Sequence, residues 1–259
     1  MVPRLKHAGA AREPGYHGRV PNLRPLLLLV TLCGCAAAPA PAAPPEPVRL
    51  AVLGPPTLGD PEADGEWTAE ALLLEAVTWV SAEPDLDAVV LVGPLFAQAG
   101  PDATRALTGA LGSVACPVVL AAAPGDLDPE GAVLEDLERE VPGHPGQAAY
   151  GRLVGGAARV AAAAPDGTGA GAAAPGEWSV RVEAGAPGTE PTHLVIRAGG
   201  ALALTGPGEG APARLEVPPL AAGLVTFVTL APGGALSAEA RSVTGGVAPP
   251  APAPVRLAR

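Results

Sequence analysis

Apolar residues fall into two kinds of run along this chain. Short runs that are apolar almost throughout occur at residues 48–53 (VRLAVL), 88–92 (AVVLV) and 117–122 (PVVLAA). Such runs, closed by Gly and Pro, predict strands buried on both faces. Between them, apolar positions recur at helical spacing. Residues 64–82 predict a helix capped by Asp64, with Trp67, Ala71, Leu74 and Val77 along one side and Pro84 beyond its end. Residues 101–114 predict a second, with Ala103, Leu107, Ala110, Leu111 and Val114 inward. Asp128-Pro129-Glu130 opens a third, carrying Val133, Leu134, Leu137 and Val141. Strands alternating with amphipathic helices predict βαβαβ connectivity, and hence an α/β fold. The loops beyond the carboxyl ends of such strands are where function is expected: residues 54–56, 93–94 and 123–126.

The second half is patterned differently. One or two strands are predicted within residues 152–164, then strands at 178–183, 192–198, 201–205, 214–217, 223–230 and 235–243. Residues 178–183 (WSVRVE) alternate as a half-buried strand does, and Pro232-Gly233-Gly234 predicts a hairpin turn. This half has no helical periodicity and predicts a more antiparallel sheet. The folded domain is expected over residues 48–244, followed by a Pro/Ala-rich flexible tail at 245–259.

Composition sharpens the boundaries. Gly (34) and Pro (33) make up a quarter of the 259 residues, a level typical of disordered chains. They concentrate at residues 36–47, 165–191 and 245–254, leaving the apolar runs intact. Residues 1–34 hold five basic side chains (Arg4, Lys6, Arg12, Arg19, Arg24) against Glu13, so the total of −10 is the balance of +4 there and −14 beyond. An acidic body with no lysine after Lys6 excludes a nucleic-acid partner as the expected one.

The N-terminal segment has a separate logic. Arg24-Pro25 precedes Leu26-Leu27-Leu28-Leu29-Val30-Thr31-Leu32-Cys33-Gly34-Cys35. That apolar stretch is too short to span a bilayer and fits the core of an export signal. Leu32-Cys33-Gly34-Cys35 resembles the bacterial lipobox, which implies a signal peptide over residues 1–35 and lipidation of Cys35; an ordinary cleaved signal is the alternative. Ala36 after the cysteine implies sorting to the outer membrane. Acyl chains contribute about 0.8 kcal/mol per buried CH₂, so the membrane is the expected partner through Cys35. Residues 36–47 (AAAPAPAAPPEP) then read as a stiff Pro/Ala-rich tether. Only Cys116 remains in the body, read as a small core residue without a disulfide partner.

The three loops carry a more specific likeness. Residues 50–56 (LAVLGPP), 88–94 (AVVLVGP) and 117–126 (PVVLAAAPGD) resemble, in order and spacing, the three motif strands of the calcineurin-like metallophosphoesterase family, over about residues 48–128. The resemblance implies a two-sheet sandwich flanked by helices. It also implies a dinuclear metal site built from Asp-x-His, Gly-Asp and Gly-Asn-His-Asp/Glu. The corresponding positions here are Gly54, Pro56, Pro94, Pro124 and Gly125, none of which offers a side-chain ligand. Only Asp126 survives, where the family uses the residue to orient a histidine that this chain lacks. The family's Gly-His-x-His segment would fall at Gly199-Gly200-Ala201-Leu202, again without ligands. A dinuclear site needs several His and carboxylate ligands converging, and after Cys35 the chain holds only His144 and His193, and no Asn.

No catalytic, cofactor-binding or metal-binding residue is therefore assigned, no cofactor is expected, and Cys35 is the single modification site. His144 and His193 are read as structural rather than ligating. Asp60, Glu62, Asp64 and Glu66 are read as a solvated loop with a helix cap in preference to a cation site. Gly155-Gly156 and Gly199-Gly200 lack the strand–glycine–helix context of a dinucleotide fingerprint. The expectation is a bacterial envelope lipoprotein with a degenerate phosphoesterase-like domain, catalytically inactive, that binds an envelope or protein partner. The alternatives are a hydrolase with a rearranged metal site drawn from Asp60, Asp64, Asp126, Asp128, His144 or His193, and a structural lipoprotein of unrelated α/β fold.

Overall fold

Val48–Leu53 (β1), Ala88–Val92 (β2) and Val118–Ala121 (β3) lie side by side and parallel, with Leu53 level with Leu91 and Val92 level with Ala121. The computed structural model describes residues 46–59, 67–127, 132–169 and 172–257. Between these strands run helices α1 (Ala69–Ser81) and α2 (Pro101–Leu111), and α3 (Ala132–Glu140) follows β3. Strand β2 is buried at every position, because helices cover one of its faces and a second sheet the other.

The second half forms β4 (Tyr150–Val154), β5 (Ala158–Ala162), β6 (Trp178–Glu183), β7 (Leu194–Ala198), β8 (Ala203–Thr205), β9 (Ala213–Val217), β10 (Leu224–Leu230), β11 (Ala235–Ser242) and β12 (Val255–Arg256). Two six-stranded sheets result, ordered β12-β11-β10-β1-β2-β3 and β4-β5-β6-β7-β9-β8. Both are mixed. In the first, β10 is antiparallel to β1; in the second, β5, β6, β7 and β9 run parallel while β4 and β8 are antiparallel edges.

One core lies between the sheets. Leu50, Val52, Val90 and Val119 from the first meet Val160, Val180, Ile196 and Leu215 from the second. A second core lies between the first sheet and the helices, where Ala51, Leu53, Leu91 and Leu120 meet Leu73, Val77, Leu107 and Leu137. Odd and even positions of β1 thus serve different cores, as a strand's alternation dictates.

Three expectations are corrected. Among the described residues the helices pack on the first sheet only. The outer face of the second carries Ser179, Arg181, Glu183, Arg197, Arg214 and Glu216, alternating with core residues, and its parallel connections are loops or the short β8 strand instead of helices. Helix α1 starts at Ala69 with Thr68 as its cap, whose hydroxyl accepts from Ala71 N at 3.2 Å; its buried face is Leu72, Leu73, Ala76, Val77 and Val80, while Trp67 and Leu74 are 41% and 56% exposed. The tail expected to be flexible contributes β12, paired with Ala235 and Leu236, and buries Leu257.

Asp60, Asp64, Asp128, the signal segment with Cys35 and most of the tether lie outside the described residues. No helix among the described residues is long and apolar enough to cross a membrane.

Candidate functional site

The parallel register brings the loops after β1, β2 and β3 to one edge of the first sheet, and each is tied to the next by short-range polar contacts. Leu58 N donates to Leu95 O at 2.8 Å, and Ala97 N to Leu58 O at 2.9 Å, joining the first loop to the second. Gly93 N donates to Ala121 O at 2.8 Å. The segment leading into β10 arrives at the same edge, where Leu220 N donates to Pro55 O at 3.0 Å. Gly59 N donates to Glu70 Oε1 at 3.0 Å, which ties the first loop to α1 and, as the leading cause, lowers the Glu70 pKa.

Asp126 is the polar centre of this cluster. It is 2% exposed. One carboxylate oxygen accepts from Leu95 N at 2.9 Å and Phe96 N at 3.2 Å; the other accepts from Ala123 N at 2.6 Å. Burial pushes its carboxyl above the usual range, while the three backbone donors pull the other way. The carboxylate is thus spent on holding the second and third loops together.

Two glycines allow the loops to close this tightly. A Cβ on Gly93 would stand 2.7 Å from Asp126 Oδ2 and 2.8 Å from Ala123 N. A Cβ on Gly54 would collide with the Pro218 carbonyl oxygen. Gly54, Pro55 and Pro56 are buried under that approach, whereas Pro94, Pro124 and Gly125 are exposed. The cluster is filled by main chain, and Asp126 is the only ionisable residue within residues 54–56, 93–94 and 123–126.

The histidines lie elsewhere. His144 follows α3, is 4% exposed, and stacks edge-on against Tyr150 with ring centroids 4.9 Å apart. Its Nδ1 accepts from Gly146 N at 3.2 Å, so the neutral ring carries its proton on Nε2, which has no hydrogen-bond partner. Burial, helped by the charge of Arg152, pushes this imidazole down to about 4. His193 precedes β7; its Nδ1 accepts from Ser179 N at 2.9 Å and its ring meets Trp178 at 5.2 Å. Cys116 is half-buried and packs beside the helix-side core; burial pushes its thiol up. Among the described residues no three His, Cys, Asp or Glu side chains gather closely enough to hold a metal ion.

Sequence reasoning did not single out two polar residues that matter here. The Tyr150 hydroxyl, on β4, accepts from Leu120 N at 2.8 Å and donates to Val118 O at 3.3 Å, so it closes the free edge of β3. Arg181, on β6, is buried with Glu183 beneath the 184–191 segment. The Arg-x-Glu spacing of residues 181–183, which places both side chains on one face of a strand, was the available signal for that pair.

No family model matches the chain, and no curated protein matches it significantly. Among solved structures, one crystal structure is 10% identical and superposes with a TM-score of 0.51, covering 76% of this chain and all of its own. A Thermotoga maritima protein solved in solution by NMR is 14% identical, covering 75% of this chain and 99% of its own, with a TM-score of 0.39 that carries no argument. At these identities the first likeness is one of fold alone. The fold class is α/β: two mixed six-stranded sheets with few helices.

Proposed function

We propose that this chain is a non-catalytic, phosphoesterase-like binding module of the bacterial envelope, anchored through an acylated Cys35 and recognising an envelope or protein partner. The observation that carries the reading is the three-loop cluster. The loops that the resemblance assigns to a dinuclear site converge on one sheet edge, yet residues 54–56, 93–94 and 123–125 bring main chain, proline, glycine and alanine there, and the Asp126 carboxylate is held by three backbone N–H groups. Hydrolysis of a phosphate ester by two metals needs ligands that hold the ions and a Lewis acid beside the attacking water; residues 54, 56, 94, 124 and 125 offer none. The scaffold beneath keeps two extended apolar cores, which suits a role in presenting a surface.

Metal analysis of the purified protein, combined with phosphodiester and phosphomonoester assays in Mn²⁺, tests this. The expected result is substoichiometric metal and no turnover. Stoichiometric metal with turnover that disappears on substituting His144 or His193 would overturn it. The anchor is tested separately by mass spectrometry of the mature N-terminus, where Cys35 is expected to carry acyl chains; an unmodified N-terminus at another residue would remove the anchor from the proposal.

A further inference from the structure

A second place in the molecule has the features of a built binding site. Between the segment before β7 and the segment joining β8 to β9 lies a half-open cavity of about 520 Å³. Its polar lining includes Arg181, Glu190 and His193; Pro191, Pro207, Pro212 and Ala211 give it small apolar walls. It shares no residue with the three-loop cluster, so its occupancy and the reading of that cluster can fail independently.

Arg181 is the unusual member. It is 8% exposed, on the outward side of β6, because the 184–191 segment folds over it. Its Nε donates to Glu183 Oε1 at 2.6 Å and its Nη1 to Glu190 O at 2.6 Å. Glu183 Oε1 also accepts from Gly188 N at 3.0 Å, which fixes the pair. A guanidinium carries five N–H donors; the second proton of Nη1 and both protons of Nη2 have no acceptor among the described residues. Nη2 is not closed off from solvent, so these donors are within reach of the cavity that Arg181 lines.

The other charges fit this reading. Glu190 turns its carboxylate toward Gly169, which is not part of the cavity wall. Glu183 is already engaged by Arg181 and Gly188. The cavity therefore holds one fixed guanidinium partly offset by Glu183, enough for a singly charged ligand and poorly matched to a phosphate dianion. The planar fork of Arg suits a carboxylate, and the proline walls suit a small apolar body attached to it.

We propose that this cavity binds a carboxylate-bearing ligand, a peptide C-terminus or a small organic acid, through the free donors of Arg181.

The test is a ¹H–¹⁵N titration of the purified full chain, following the backbone amides of Gly188, Thr189, Gly208 and Ala211. The probes are Ala-Ala-Ala, its C-terminal amide, benzoate and inorganic phosphate. Saturating shifts with Ala-Ala-Ala, benzoate or both, and none with the amide, are expected; a response to one carboxylate alone assigns the source. Arg181→Lys keeps the charge and removes the fork, and is expected to weaken binding at least tenfold. Ala211→Phe narrows the mouth without touching the Arg181–Glu183 pair, and the same loss is expected. No saturating shift with either carboxylate, equal response to the amide, tighter binding of phosphate, or wild-type affinity in Ala211→Phe would each overturn the proposal.

Discussion

Asp126 accepts a hydrogen bond from Leu95 N at 2.9 Å across 31 positions of sequence, inside an apolar surrounding that leaves the carboxylate 2% exposed. A single side chain therefore fixes the turn after β2 against the turn after β3. In a resembling metal site such a residue would hold a ligand; here it holds backbone.

Replacing that carboxylate tests its role directly. Asp126→Asn keeps one acceptor oxygen but turns an NH₂ toward either Ala123 N or the Leu95–Phe96 pair. At least one buried backbone donor then loses its acceptor and faces another donor. An unsatisfied buried group costs about 1–3 kcal/mol, so the urea midpoint is expected to fall by that equivalent, with Asp126→Ala falling further. A variant as stable as wild type would mean that water replaces the carboxylate.

Two glycine-to-alanine changes are expected to act in opposite directions. Gly93→Ala places a methyl 2.7 Å from Asp126 Oδ2 and 2.8 Å from Ala123 N, neither of which can swing away; overpacking of this kind costs about 1–3 kcal/mol. Gly109 is exposed within α2, and a Cβ there meets nothing within 4 Å. Gly109→Ala should therefore stabilise by about 0.5–1 kcal/mol through helix propensity alone. Thermal unfolding of the two variants side by side measures both.

His144 makes the fold acid-sensitive. Unfolded, its imidazole takes a proton below its usual value near 6.5; folded, it stays neutral to about 4. The stability it contributes is present above the unfolded value and is lost as the pH falls from about 6.5 through 4, by up to about 3 kcal/mol. Asp126 acts in the opposite sense: burial raises its carboxyl, so protonation favours the folded state as the pH falls. The change in urea midpoint between pH 7 and pH 4.5 gives their sum in the wild type, and the same comparison in a His144 variant separates them. His144→Phe keeps a ring against Tyr150 and should flatten the acid loss; an unchanged slope would place the acid sensitivity elsewhere.

How far the sequence is legible depends on how local the cause is. The runs of β1, β2 and β3 identify themselves, because burial on two faces leaves them apolar at every position but Arg49, which sits at the start of β1 and reaches Glu83. The inward face of α1 is misread because Leu72-Leu73-Leu74 offers apolar residues on several sides, and packing against Val77 and Val80 selects Leu73 over Leu74. Strand β12 escapes because two residues in a Pro/Ala-rich tail have no period, and its pairing with Leu236 is set by the partner strand. The order of the three loops could be read from sequence, as could the lack of ligating side chains at residues 54, 56, 94, 124 and 125. That Asp126 would face Leu95, Phe96 and Ala123, and that Pro218 would press on Gly54, depends on contacts across the fold that no local pattern encodes.

That last contact bears on whether a metal ligand could be introduced at position 54. The resemblance assigns the first ligand to position 54, at the end of β1. Gly54 lies beneath the segment entering β10, and a Cβ built on it would collide with the Pro218 carbonyl oxygen. The obstruction is main chain on main chain, held by the Leu220 N to Pro55 O hydrogen bond at 3.0 Å, so rotamer changes cannot relieve it. Gly54→Asp is expected to lower stability by about 3 kcal/mol or more, read from the urea midpoint, and to bind no Mn²⁺ by calorimetry. A Gly54→Asp variant with wild-type stability would show that the Pro218 segment yields readily. Such tolerance would mean that the loop cluster remains open to a side chain, and the absence of a ligand at position 54 would then have a cause other than packing.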